Sequence, residues 1–180
     1  MTGYDEVLGF WFEEISEASW WKKDPAFDQL IRDRFGALHA SASRAELFAW
    51  RVAPRGRLAE VIILDQFSRN LYRDDARAFA LDSMALALAQ EAVGCGADQP
   101  LSAAEKSFLY LPYMHSESVS IHQQAVVLFQ QPGLEKNLDF ELRHKAIIDQ
   151  YGRYPHRNHT LGRVSTEQEL SFLQQPGSSF

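Results

Sequence analysis

One cysteine, Cys95, stands alone in 180 residues. That excludes an intrachain disulfide framework and a multi-cysteine zinc site, and it fits a reducing compartment. Cys95 lies in Val93-Gly94-Cys95-Gly96, at an expected helix C-terminus where the dipole disfavours the thiolate a nucleophile requires. Positive charge is also scarce: 18 Lys and Arg stand against 24 Asp and Glu, a formal −6. Binding to nucleic acid is therefore not expected, and any bound anion must be held by a local cluster. Long apolar runs are missing too. The run Val61 to Leu64 falls far below the roughly 20 residues of a membrane helix. The opening Met1-Thr2-Gly3-Tyr4-Asp5-Glu6 has no basic leader, and Glu13 and Glu14 break the first apolar stretch. Neither a signal peptide nor a membrane partner is expected, and the cytoplasm is the expected location. No Gly-rich dinucleotide fingerprint, P-loop or Gly-x-Ser-x-Gly elbow occurs, so nucleotide-fold and hydrolase-elbow chemistry have no support.

What is present is helical periodicity, punctuated by turn residues every ten to twenty positions, with strand patterns nearly absent. Helices are expected near residues 4–15, from Pro25 to about Leu38, and at 45–52, 57–67, 76–93, 114–130 and 134–150. Asp24 before Pro25 is an N-cap with proline at N1. Ser102 with Glu105, and Thr166 with Glu169, are capping boxes, the first opening a helix that Pro112 interrupts. The reading is an all-α protein: an antiparallel helical array of eight or nine helices, one domain over residues 1–175, with a frayed tail at 176–180. The four tryptophans are assigned mainly to packing.

Polar chemistry gathers in three stretches. In the first, Leu58, Val61, Ile62 and Asp65 form one helical stripe, so a carboxylate extends an apolar face, and Arg69 follows at i+4 with Asn70 and Arg73 beyond. A charge on a buried side needs a partner or a ligand; the plainer reading is that Asp65 and Arg69 cap helix ends. In the second, Arg153, His156, Arg157, Asn158, His159 and Arg163 supply many donors and few acceptors, the inventory of a carboxylate or phosphate clamp; the plainer reading is surface salt bridges. In the third, His115 and Glu117 follow Pro112. With His144 and His156 they offer a metal set, but no ligand-type spacing supports one, and neither metal nor cofactor is expected. His39 and His122 are assigned to solvated faces. Asp65-Gln66-Phe67-Ser68-Arg69 is echoed by Asp149-Gln150-Tyr151-Gly152-Arg153, which suggests neighbouring helices whose exits, 69–73 and 153–158, converge on one pocket.

The chain resembles the bacterial domain-of-unknown-function 924 family, from Val7-Leu8-Gly9-Phe10-Trp11-Phe12 through Trp20-Trp21-Lys22-Lys23-Asp24 to Leu161-Gly162-Arg163-Val164-Ser165-Thr166. Its most specific stretches are Leu64 to Asn70, Ala76 to Phe79, Phe108 to Glu117 and Tyr151 to Asn158. Ser68 stands where the family pattern has proline, and Asp74 where it has glycine. The resemblance implies a helical array similar to tetratricopeptide-like folds and implies no activity.

Two functions compete on these residues. One is a binding module that holds an anionic small molecule or an acidic peptide on Arg69, Asn70, Arg73, Arg153, Arg157 and Asn158, with His115 and Glu117 nearby. The other is an enzyme with His156 or His144 as general base, Asp149 or Asp65 orienting it, and arginines stabilising developing negative charge. A purely structural network is the third possibility, and the sequence carries no signal for oligomeric state.

Overall fold

The computed structural model describes residues 3–179. Met1, Thr2 and Phe180, the outermost residues of the N-terminal segment and of the expected frayed tail, lie outside the described residues. Local signals open several of the helices. The Asp24 carboxylate accepts from the Ala26 and Phe27 N–H groups and starts a long helix at Pro25. Both capping boxes form at Ser102 and Thr166. In chain order the elements are α1 (Tyr4–Gly9), α2 (Pro25–Ser43), α3 (Pro54–Ile62), α4 (Ser68–Leu71), α5 (Asp82–Gly94), α6 (Ala103–Met114), α7 (Val119–Phe129), α8 (Glu135–Tyr151) and α9 (Glu167–Leu173). A π-helical turn, Phe10–Glu14, extends α1, and another, Ile63–Phe67, joins α3 to α4 without a break. The protein is an all-helical array, and among the described residues no strand occurs.

Helix α3 is the axis of this array. It packs on α1, α5 and α6, while α4 and the second π turn lie against α2, and α6, α7 and α8 pack in succession. A helix surrounded by others has to be apolar all round. Leu58, Ala59, Val61, Ile62, Ile63 and Leu64 are accordingly all fully buried. Gly56 at its start is required by close approach, since a Cβ there would overlap the Trp50 carbonyl. Phe10, Trp11, Phe35, Phe67 and Phe108 fill the core around α3 with edge-to-face and tilted ring contacts. A smaller cluster of Ile147, Ile148 and Tyr154 joins the end of α8 to α9 through Tyr151 and Phe172. At Gly152 the backbone turns left-handed (φ +68°), ending α8 and swinging the chain into the 153–163 loop.

Several expected boundaries shift. Residues 48–52 form a 3-10 turn rather than a full helix, and 76–78 another, so α5 begins only at Asp82. Pro112 sits inside α6, and the break falls after Met114. A proline so near a C-terminus removes one ladder bond without exposing a long helix remainder. His39 and His122 are buried rather than solvated: His39 meets the Ser68 hydroxyl at 2.8 Å, and His122 is wholly enclosed. Trp11 is fully buried, whereas Trp21 is 62% exposed while stacked on Phe108. Ser178 in the expected frayed tail is buried, its hydroxyl donating to the Leu173 carbonyl. Among the described residues no helix is long and apolar enough to cross a membrane.

Candidate functional site

Residues 58 to 68 are buried in unbroken succession, through the end of α3, the π turn Ile63–Phe67 and Ser68, because helices pack on several sides of this stretch. Asp65, 1% exposed, is held inside with them. It accepts hydrogen bonds from His115 Nδ1 at 2.7 Å and Gln66 Nε2 at 2.5 Å, and Arg69 lies 3.1 Å away. Burial pushes its carboxyl toward the neutral form, but Arg69 and His115 outweigh that, and the net shift is downward. An ionised carboxylate only accepts. The shared proton therefore sits on His115 Nδ1, and Nε2 is left with its lone pair. Burial, then the nearby Arg69, lowers the pKa of His115, with Asp65 opposing. At neutral pH the pair is a carboxylate orienting a neutral imidazole.

His115 lines a cleft of about 300 Å³ with Phe79, Asp82, Pro112, Glu117 and Arg157. Arg157 lines it, and Arg69 stands behind the Asp82 carboxylate. Arg69 binds Asp82 through both guanidinium arms, at 2.9 and 3.0 Å. Arg157, from the 153–163 loop, lies between the rings of Phe79 and Tyr154, each 4.6 Å from its guanidinium carbon. It is 6% exposed, and its closest carboxylate is Asp82 at 3.6 Å, beyond good hydrogen-bond range. Its Nε is buried with no acceptor, and its guanidinium makes no hydrogen bond among the described residues. Burial, then repulsion from Arg69, lowers its pKa. This is an unusual state, because buried arginines normally satisfy their fork of five donors.

A second network fixes the walls. Glu117 takes both arms of Arg163 at 2.6 and 2.9 Å and accepts from the Tyr154 N–H, tying the α6–α7 connection to the 153–163 loop. His122 on α7 meets Glu141 at 2.7 Å through Nδ1, and its Nε2 meets the Ser116 carbonyl at 2.8 Å. Burial raises the Glu141 pKa, with His122 opposing. The stretch that carries His115 is thus held from α7, α8 and the late loop together.

The structure places His115, Glu117 and Arg157 on this cleft, with Asp65 behind His115 and Arg69 behind Asp82. It does not bring the other candidates there. Arg73 and Asn70 turn to Asp28 on α2. Arg153 and Asn158 turn to Glu169, the same residue that closes the second capping box. Asp149 is exposed and pairs with Lys145 at 2.5 Å, so it orients no histidine, and Asp65 and Arg69 do not face it. His144 donates to the Phe140 carbonyl, and burial depresses its pKa to about 3. His156 lines a neighbouring groove, its pKa lowered to about 4 by burial and then by Arg157. The imidazole set against a carboxylate in the cleft is His115. Asp82, Glu141, Glu169 and Tyr154 are the partners that local pattern did not reveal. Among the described residues no three His, Cys, Asp or Glu side chains are arranged to hold a metal ion.

The family model described as "Bacterial protein of unknown function (DUF924)" matches residues 7–177. The chain belongs to this family. The chain is also similar to a solved structure, the protein of unknown function ATU0120 from Agrobacterium tumefaciens, which is 36% identical over 95% of this chain and 96% of its own, with a TM-score of 0.90. No curated protein matches. For this DUF924 member, function therefore rests on the geometry of the cleft.

Proposed function

We propose that the cleft binds a small anion on Arg157 and that His115, oriented by Asp65, exchanges a proton with it as general base and acid. The observation that carries this reading is Arg157, a buried guanidinium whose Nε meets no acceptor among the described residues, on the same cleft as an oriented imidazole. A buried, unsatisfied donor costs about 1–3 kcal/mol. A chain tolerates that where a ligand supplies the acceptor. A cleft of about 300 Å³ is at the small end of ligand sites, which favours a metabolite-sized anion over an acidic peptide. Arginine recognises carboxylate and phosphate with the same fork, and the low polarity of the surrounding rings strengthens the contact. Placement in the cytoplasm agrees with the lone cysteine. A tetratricopeptide-like pairing of helices would present such a cleft between units.

The candidates outside the cleft support a structural reading for themselves alone. Arg73, Arg153, Asn70 and Asn158 are each satisfied by protein acceptors. A thermal-shift screen of small anions on wild type and Arg157→Met tests the proposal. Expected is at least one anion that stabilises the wild type by about 2.7 kcal/mol at 100 times its Kd and leaves the variant unmoved. If every stabilising anion acts equally on both proteins, the proposal fails.

A further inference from the structure

Resting on the anion-site reading, we infer that the ligand class is a singly charged carboxylate carrying a short apolar arm, and that Asp82 is the residue that turns doubly charged anions away. Arg69, Arg157 and Arg163 stand against Asp65, Asp82 and Glu117, so the set is neutral before any ligand enters. Arg157 is the guanidinium among them that no carboxylate hydrogen-bonds, so one negative charge of a ligand has a cation to meet and leaves the set one charge in excess. A second has no cation to meet, and it lies beside the Asp82 and Glu117 carboxylates that line the same cleft. Burial and the nearby Arg69 hold His115 toward its neutral form, so it adds no second positive charge.

The backbone contributes a further donor set. The first turn of α5 borders the cleft through Asp82 and Ser83. Leu81, in the N-cap position, provides no side-chain cap. The Asp82 and Ala85 N–H groups bond to the Phe79 and Leu81 carbonyls, and no such acceptor serves Ser83 or Met84. Free first-turn N–H groups beside an unbonded guanidinium match the two oxygens of a carboxylate. Phe79, Leu86, Pro112 and Leu161 are the apolar part of the lining, which accommodates a hydrocarbon arm.

Benzoate and phenyl phosphate share an arm and differ in charge, and near pH 8 the phosphate monoester is a dianion because its second pKa is about 6. Calorimetric titration of both into wild type, Arg157→Met and Asp82→Asn, each checked for helical circular dichroism, separates the cases. Benzoate is expected to bind wild type at least tenfold more tightly than phenyl phosphate. It should weaken at least tenfold in Arg157→Met, and in Asp82→Asn the phosphate should gain at least as much. Phenyl phosphate binding best to wild type, with dependence on Arg157, would overturn the ligand class and leave the anion site standing. Neither ligand showing dependence on Arg157 would overturn both. If Asp82→Asn does not fold, Ser83→Pro, which removes one first-turn donor and keeps the charges, is expected to weaken benzoate. Unchanged benzoate affinity there would overturn the assignment of the α5 N-terminus.

Discussion

Replacing Arg157 by methionine removes a charge from the protein interior and keeps most of the side-chain volume. In an ordinary buried ion pair this loss costs about 3–5 kcal/mol, because the partner charge is stranded. Here the terms nearly cancel. At 3.6 Å from Asp82, the attraction at an effective dielectric of about 20 is roughly 4–5 kcal/mol. Asp82, however, is already bound by both arms of Arg69, whose own charge repels Arg157 by a comparable amount. The unmade hydrogen bond at Nε costs about 1–3 kcal/mol. The two ring faces return roughly 0.5–1 kcal/mol each, and a thioether keeps part of that contact. The expected outcome in the absence of ligand is therefore a change within about 1 kcal/mol in either direction, read from urea denaturation at unchanged m-value. A loss of about 3 kcal/mol or more would show that Arg157 is a structural cation, and the reasoning that assigns it to a ligand would fall.

Asp65→Ala is expected to destabilise by roughly 3 kcal/mol in the same assay, the low end for a buried pair because Arg69 retains Asp82; a change below about 1 kcal/mol would contradict the burial argument. Asp149→Ala, by contrast, is expected to leave stability and anion binding unchanged, since Asp149 is exposed and its ion pair among the described residues is with Lys145, one turn earlier on α8. Stability should fall as pH drops below the ordinary histidine pKa of about 6.5. His144 and His156, depressed to about 3 and about 4, take up protons in the unfolded chain before the folded one, so the slope is about 1.4 kcal/mol per pH unit for each. Equal unfolding free energies near pH 7 and pH 5 would contradict those burials. Asp74 is a non-glycine residue with φ +62°, so Asp74→Gly should stabilise by up to about 1 kcal/mol; a clear loss would show that its side chain repays the left-handed backbone.

Much of the fold was legible because caps and prolines write helix starts locally: Asp24-Pro25, Ser102 with Glu105, Thr166 with Glu169. The site was legible only by halves. Asp65, Arg69, His115, Glu117 and Arg157 announced themselves as polar groups among apolar ones, but the pairing of Asp65 with His115 spans fifty positions and no local pattern encodes it. Asp82 was hidden because residues 76–93 read as one helix, which placed it mid-helix instead of at the start of α5. The echoed Asp-Gln-aromatic segment misled for a physical reason. The turn that carries Asp65 continues α3 and is packed by α2 and α5, whereas the last turn of α8 leaves Asp149 in solvent beside Lys145. A five-residue match does not report which elements pack around each copy.

The claim that this cleft is a ligand site meets its most direct test in crystals of the protein grown with benzoate. Expected is carboxylate density within hydrogen-bond distance of the Arg157 guanidinium and the Ser83 N–H, with His115 still on Asp65. An empty cleft, with Arg157 turned to bond a protein carboxylate in full, would contradict it.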